Sequence, residues 1–119
     1  MQAIKVYGIK ACDTVKKARS WLESREINYI FHDYKIEGVT ADMITHWVDQ
    51  AGWEAVLNRN GTTFRKLPEA DRLDLDAAKA TGLMTANPST IKRPIIDGAG
   101  PLILGFNPDI YERAFRLSV

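Results

Sequence analysis

Cysteine is scarce in this sequence, and other features that define large classes of proteins are missing. The chain of 119 residues contains one cysteine, so it cannot form an internal disulfide, and we expect a reducing cytoplasmic compartment. Its apolar runs are far shorter than the ~20 residues of a membrane span, and the N-terminal "MQAIKVYG" lacks the longer apolar stretch of a signal peptide. The formal net charge of +1 favours neither nucleic acid nor a membrane as a partner.

Metal ligands, phosphate loops and paired carboxylates are equally scarce. The two histidines, His32 and His46, have no metal-ligand spacing with Cys12, so no metal site is predicted. The sequence has no glycine-rich phosphate loop and no pair of carboxylates placed for acid–base work. The remaining chemistry centres on one sulfur.

The first third of the chain has the order strand, helix, strand. Short runs rich in β-branched and aromatic residues predict strands at 3–8 and 28–34, and apolar residues at helical spacing predict a helix over 14–25. Asp13 or Thr14 is expected to cap this helix, because a short oxygen-bearing side chain accepts a hydrogen bond from a first-turn N–H.

The middle of the chain, about residues 40–86, is predicted to be a helical insertion. Thr40 is a candidate cap and Gly52 a candidate stop for its first long helix, and a later helix is predicted over about 74–86. The expected apolar stripe of that later helix is Leu73, Ala77, Ala80 and Met84.

The last third returns to strands and ends in a helix. The runs "PIID" and "LILG" predict two strands joined by a turn at "GAGP". Asn107 or Asp109 is expected to open the final helix, whose buried residues would be Ile110, Ala114 and Leu117.

These elements together predict an α/β fold in one domain covering residues 1–119. A strand–helix–strand crossover gives a parallel pair of strands, and the later turn gives an antiparallel pair. One mixed four-stranded sheet flanked by helices satisfies both pairings. This is the thioredoxin-like arrangement, with the insertion at about 40–86 in its middle.

Cys12 is the candidate catalytic residue. It follows the first predicted strand and precedes a helix, where unpaired N–H groups favour a negative charge and so lower a thiol pKa. Lys10 adds positive charge nearby in sequence, whereas Asp13 opposes it. Free cysteines are often structural, but sites in open α/β sheets gather at the carboxyl ends of strands. We therefore interpret Cys12 as a reactive thiolate.

Arg93 and Pro94 form the second candidate feature. An arginine side chain binds oxyanions two bonds at a time and stays charged, and the residue before a proline is held extended. The peptide bond between them can be trans, as in an ordinary loop, or cis. Arg59, in the polar turn "NRNGTTFRKL", is a weaker candidate and could equally be a solvated surface residue.

With "YGIKACDTVKKA", "NRNGTTFRKL" and "IKRPII" in this order, the chain resembles the ArsC-type arsenate reductase family over its full length, and within it the YffB-like branch of proposed glutathione-dependent thiol reductases. The resemblance implies a thioredoxin-like core with a helical insertion. It further implies that Cys12 is the nucleophile, that Arg93 is an oxyanion ligand and that Pro94 is a cis residue.

The sequence also departs from the arsenate reductases of this family. They carry a Cys-Gly-Thr-Ser-Arg style loop where this chain has Cys-Asp-Thr-Val-Lys. They also use three arginines around the oxyanion: Arg93 matches one, Arg59 is offset by a residue from the second, and the position of the third falls at Gly105. Each lost charge-assisted bond to an anion is worth about 1.5–3 kcal/mol. The related Spx-type regulators often carry a Cys-x-x-Cys switch, which Val15 excludes here.

Three functions are therefore compared. The first is a glutathione-dependent thiol–disulfide oxidoreductase in which Lys10, Asp13, Thr14, Arg59, Arg93 and Pro94 contribute to the substrate or glutathione site. The second is an arsenate reductase coupled to glutathione and glutaredoxin. The third is a non-catalytic, Spx-like interaction module that presents Trp47 and Trp53, although such aromatics are more often core. We expect glutathione as a co-substrate, no tightly bound cofactor, and a monomer.

Overall fold

The computed structural model describes residues 3–116, and the chain divides into two compact units. One unit joins the residues up to Glu37 to those from Arg93 onward, and the other is Gly38–Lys92. In chain order the elements are β1 (Lys5–Gly8), α1 (Asp13–Ser24), β2 (Ile30–Asp33), α2 (Tyr34–Glu37), α3 (Ala41–Ala51), α4 (Trp53–Val56), α5 (Thr62–Arg65), α6 (Glu69–Arg72), α7 (Ala77–Ala86), a 3₁₀ turn (Pro88–Thr90), β3 (Ile95–Asp97), β4 (Ile103–Leu104) and α8 (Pro108–Arg116).

The first unit is built on a mixed four-stranded sheet with the strand order β2-β1-β3-β4. β1 pairs with β2 in parallel, and β3 pairs antiparallel with both β1 and β4. The predicted sheet, its parallel pair and its antiparallel hairpin are therefore confirmed. The predicted strand at 28–34 begins only at Ile30, and it ends one residue early because Tyr34 already belongs to α2.

The strand register brings three distant segments of the sequence to one end of the sheet. Gly8 and Asp33 are partners at the ends of the parallel pair β1 and β2. Tyr7 and Ile95 are partners in the antiparallel pair β1 and β3, so the residues just before β3 lie beside the chain that leaves β1. The loop carrying Cys12 starts at this end.

The core of the first unit lies between the sheet, α1 and α8. The buried cluster comprises Val6, Ala18, Leu22, Ile96, Ile103, Tyr111 and Phe115. The face predicted for α8 is wrong in one respect, since Ile110 is 44% exposed and the helix turns Tyr111 and Phe115 inward. Two aromatic rings bury more apolar area than one isoleucine, which explains this orientation. Leu117 lies outside the described residues.

The second unit consists of short helices. Thr40 caps α3 by accepting the N–H of Met43 at 3.2 Å, and Gly52 ends that helix with a positive φ, as predicted. The helix predicted from residue 74 begins only at Ala77, because Asp74 adopts a left-handed φ of 52° that an α-helix does not allow. Leu73 is consequently exposed. Within residues 3–116, no helix is long and apolar enough to cross a bilayer.

Candidate active site

Cys12 lies at the junction between a tight turn and the first helix. Its N–H donates to the carbonyl oxygen of Ile9 at 3.0 Å, which closes the turn, and its own carbonyl accepts the N–H of Lys16 at 3.0 Å, the first bond of α1. Gly8 lets the helix start close to the strand, because a Cβ at that position would lie 2.7 Å from a methyl group of Val15. The sulfur is therefore held at the amino end of a helix that packs directly on β1.

The prediction that Asp13 or Thr14 caps α1 is wrong. Cys12 itself is the N-cap residue, with an extended backbone (φ −76°, ψ 127°), and Asp13 is the first helical residue. The turn closes at Cys12, so the helix follows without a spacer residue. Asp13 and Thr14 lie exposed in the first turn. A sulfur thus occupies the position where an oxygen would usually accept the free N–H groups.

The electrostatic surroundings lower the pKa of the Cys12 thiol. Partial burial works in the opposite direction, but it is outweighed by the N–H of Val15, the Arg93 guanidinium and the N–H of Thr14. The thiol makes no full capping hydrogen bond. The lowered pKa and the missing capping bond are consistent, because the pKa also depends on how well the thiolate is bound, and an ionised sulfur is a much stronger acceptor than a thiol. These groups therefore favour the nucleophilic form.

Arg93 reaches Cys12 because it precedes β3, the antiparallel neighbour of β1. The Arg93–Pro94 peptide bond is cis, as the family resemblance implies. Pro94 is buried, and its carbonyl accepts the N–H of Gly105 at 2.8 Å. Gly105 has a φ of 77°, and its own carbonyl accepts the buried hydroxyl of Tyr111 at 2.7 Å. This chain of bonds fixes the backbone that carries Arg93.

Tyr34 is a buried neighbour of Arg93 that sequence reasoning missed. Its side chain is only 2% exposed, and burial raises its pKa well above the ordinary range, while the positive charge of Arg93 opposes this effect. Tyr7 acts in the same direction as burial. The guanidinium of Arg93 therefore acts electrostatically on both the buried phenol of Tyr34 and the Cys12 sulfur.

Two predicted residues have no observed contact with the sulfur among those that the structure describes. The side chain of Lys10 is exposed, and its contribution to the turn is its backbone N–H, which donates to Asp33 at 2.9 Å. Arg59 belongs to the second unit, where its guanidinium lies 5.4 Å from the ring centre of Trp53. The structure thus brings Cys12 together with Arg93 and the first turn of α1, and the roles of Lys10 and Arg59 stay predictions.

Asp33 is the second residue that sequence reasoning missed. It ends β2 beside the end of β1, it is only 6% exposed, and its carboxylate accepts the N–H groups of Lys10 and Lys35. Burial opposes ionisation, but the N–H groups of Lys10, Lys35 and Ile36 lower its pKa. The rule that sites gather at the carboxyl ends of parallel strands, applied to β2 as well as β1, would have indicated it.

Comparison with known proteins decides the family. The sequence model of the ArsC family matches residues 7–114, which is most of the chain. The chain belongs to the ArsC family. A solved structure of a protein named YFFB is 53% identical, covers 94% of this chain and 98% of its own, and superposes with a TM-score of 0.91. This member of the ArsC family therefore has the thioredoxin-like α/β fold that the sequence predicted.

Other proteins to which the chain is similar carry different descriptions. An arsenate reductase (ArsC) related protein from Brucella melitensis is 51% identical, with 97% of this chain and 96% of that one covered and a TM-score of 0.76. An uncharacterized protein of Haemophilus influenzae is 43% identical over 112 residues, which is 94% of this chain and 98% of that one. The global transcriptional regulator Spx 1 of Lactococcus lactis is 28% identical over 109 residues, covering 89% and 84%.

Proposed function

We propose that this ArsC-family protein is a glutathione-dependent thiol–disulfide oxidoreductase with Cys12 as its nucleophile. The observation that carries the proposal is the placement of the single cysteine sulfur between the free N–H groups of a helix start and the Arg93 guanidinium, which together lower its pKa. A thiolate at neutral pH is what disulfide exchange requires.

The reaction has two exchange steps. In the first, the Cys12 thiolate attacks the glutathione sulfur of a mixed disulfide between a substrate thiol and glutathione. A bond forms between the two sulfurs, and the substrate leaves as a thiolate that takes a proton from water. In the second, the thiolate of a reduced glutathione attacks this adduct, which releases the Cys12 thiolate and glutathione disulfide. The resolving thiol must be external, because the chain has no second cysteine.

The residues around the sulfur match the charges of glutathione. Arg93, which lies beside the Cys12 sulfur, would hold a carboxylate, since guanidinium–carboxylate pairs form two parallel bonds. The exposed carboxylate of Asp13 would accept the α-ammonium group, and the N–H of Thr14 would stabilise the leaving sulfur. Lys10 and Arg59 are proposed as weaker contacts to the second carboxylate.

Formation of the mixed disulfide tests the proposal directly. We expect incubation with glutathione disulfide at neutral pH to add one glutathione to the protein, and reduced glutathione to remove it. Intact-mass measurement over time reports both steps, and Cys12→Ser is the matched control, because it replaces only the sulfur. An unmodified Cys12 under these conditions would exclude the proposal.

Arsenate reduction is expected to be negligible. The position of the third arginine is occupied by Gly105, which is buried, has a φ of 77° and donates its N–H to Pro94. No cationic side chain can reach an oxyanion from there, which removes about 1.5–3 kcal/mol of binding per lost bond. We expect turnover with arsenate, reduced glutathione and glutaredoxin to equal that of Cys12→Ser. Clear turnover above this control would favour the reductase instead.

A non-catalytic interaction role is favoured by one observation, the 28% identity to the regulator Spx 1. A stable protein partner recovered with the wild type and with Cys12→Ser alike, together with an ordinary Cys12 pKa, would support that role. Loss of the partner in Cys12→Ser would instead indicate a trapped disulfide and hence the oxidoreductase.

A further inference from the structure

The turn that carries Cys12 is tied to the neighbouring strand by a buried carboxylate. One oxygen of Asp33 accepts the N–H of Lys10 at 2.9 Å, and the other accepts the N–H of Lys35 at 2.8 Å. The N–H of Asp33 donates to Glu37 at 3.2 Å. Asp33 therefore links the loop after β1 to the start of α2, because each of its carboxylate oxygens accepts a hydrogen bond from one of these segments.

We propose that Asp33 is a positioning residue for the Cys12 sulfur, acting through the backbone N–H of Lys10. The catalytic meaning of this role rests on the proposed function, whereas its effect on the thiol does not. The residue is separate from the groups that contact the sulfur, which are Arg93 and the first turn of α1.

The turn has three anchors, and Asp33 supplies the central one. The side chain of Ile9 is buried, and the carbonyl of Ile9 accepts the N–H of Cys12 at 3.0 Å. Lys10, between them, is exposed, and the bond from its N–H to Asp33 ties it to the rest of the fold. Without this bond the turn would be free to rotate, and the Cys12 sulfur would no longer point toward the N–H groups in the first turn of α1.

The site requires a carboxylate rather than an amide. Both oxygens of Asp33 face N–H donors, and an ionised carboxylate accepts on both sides, whereas an asparagine amide accepts on only one. Asp33→Asn therefore keeps the shape of the side chain, but its NH₂ group then faces one of the two N–H donors and cannot accept a hydrogen bond from it. A buried donor left without an acceptor is costly, so the turn or the start of α2 must move.

Charge and position predict opposite changes in the pKa of Cys12. Asp33 carries a negative charge, and a negative charge acting on the sulfur disfavours a thiolate. If only charge mattered, removing it would lower the pKa of the thiol. If Asp33 positions the sulfur against its N–H groups and Arg93, removing it raises that pKa. The sign of the change therefore separates the two effects.

The experiment compares Asp33→Asn and Asp33→Ala with the wild type by the pH dependence of Cys12 alkylation. We expect the thiolate-to-thiol ratio at neutral pH to fall at least about threefold, which is about half a pKa unit. Amide hydrogen exchange should show the N–H of Lys10 protected in the wild type and released in Asp33→Ala. In Asp33→Asn one of the two N–H groups, that of Lys10 or that of Lys35, should be released, because the amide oxygen accepts on one side only. Asp33→Asn keeps the test possible if Asp33→Ala does not fold.

Asp76→Ala is the matched control. Asp76 also holds a backbone N–H through its carboxylate, accepting from Lys79 at 2.8 Å, but it caps α7 in the second unit. The Asp76→Ala variant should have a lower free energy of unfolding, as expected for a lost helix cap, and an unchanged Cys12 pKa. A pKa that stays constant or falls in an Asp33 variant that releases the N–H of Lys10, or rises equally in Asp76→Ala, would overturn the proposal. A failure to form the glutathione adduct would refute the proposed function without affecting this result.

Discussion

Replacing Arg93 by methionine should raise the pKa of the Cys12 thiol by at least about one unit. The guanidinium both donates a hydrogen bond to the sulfur and supplies a positive charge beside it. Hydrogen bonds to charged groups are worth about 1.5–3 kcal/mol, and about 1.4 kcal/mol corresponds to one pKa unit. Methionine keeps an aliphatic stem but removes both effects. Thiolate absorbance against pH measures the change.

The same variant should separate two roles of Arg93 when its rates are compared for two disulfides. At a given pH the thiolate-to-thiol ratio falls about tenfold for one pKa unit, but the remaining thiolate is more nucleophilic, so the rate with an uncharged disulfide should fall by no more than about threefold. With glutathione disulfide the lost carboxylate contact adds about tenfold or more. Hydroxyethyl disulfide and glutathione disulfide therefore give different losses. Equal losses would show that Arg93 acts on the sulfur alone.

Two further variants control this experiment. Arg93→Lys keeps the charge but not the planar fork, so we expect an intermediate pKa and a poor recovery of the glutathione rate. Arg113→Met removes an exposed arginine of α8, whose Nε donates to the carbonyl of Asp109 at 3.4 Å, and it should behave as the wild type. An unchanged Cys12 pKa in Arg93→Met would contradict the electrostatic account of the site.

The lowered pKa of Cys12 also links stability to pH. Because the folded protein prefers the thiolate more than the unfolded chain does, this group contributes stability that is fully present above the unfolded pKa. The contribution is lost as the pH falls through the lower, folded value. Arg93→Met should therefore flatten the pH dependence of unfolding in this window, and Cys12→Ser should remove this part of it.

The sequence was sufficient for the sheet and for the location of the sulfur, because both depend on local patterns. Strands of β-branched residues and the amphipathic α1, whose buried residues are Val15, Ala18 and Leu22, are specified within a few residues of chain. The turn chemistry at 98–101 fixed the antiparallel pair in the same way. The position of Cys12 followed from the order of these elements.

What the sequence did not reveal depends on contacts between distant residues. Asp33 lies 21 positions after Cys12 and acts on it through a backbone N–H, so no spacing within the sequence marks it. The buried face of α8 was misjudged because helical spacing allows Ile110 or Tyr111 to face inward, and only packing against Trp21 and Phe106 favours Tyr111. Tertiary packing therefore determined which of the two side chains is buried.

Replacing Trp47 by alanine should lower the free energy of unfolding by about 3–5 kcal/mol, the usual cost of deleting a large buried aromatic. Trp47 is 1% exposed on α3, which packs against α4 and α7. A typical domain has only about 5–15 kcal/mol of net stability, so the variant should unfold at a far lower urea concentration. Circular dichroism should follow the transition, because it does not depend on tryptophan fluorescence.

Trp53→Ala is the informative comparison for Trp47→Ala. Trp53 is only half-buried, and the guanidinium of Arg59 lies 5.4 Å from the centre of its ring. Replacing Trp53 should therefore lower the free energy of unfolding clearly less than replacing Trp47. If the second unit presents a tryptophan to a protein partner, Trp53 is the more exposed of the two. Its replacement should weaken the contact with that partner while the fold persists. A loss of less than about 1 kcal/mol in Trp47→Ala, within the range of ordinary substitutions, would instead make Trp47 a surface residue and contradict the burial on which this distinction depends.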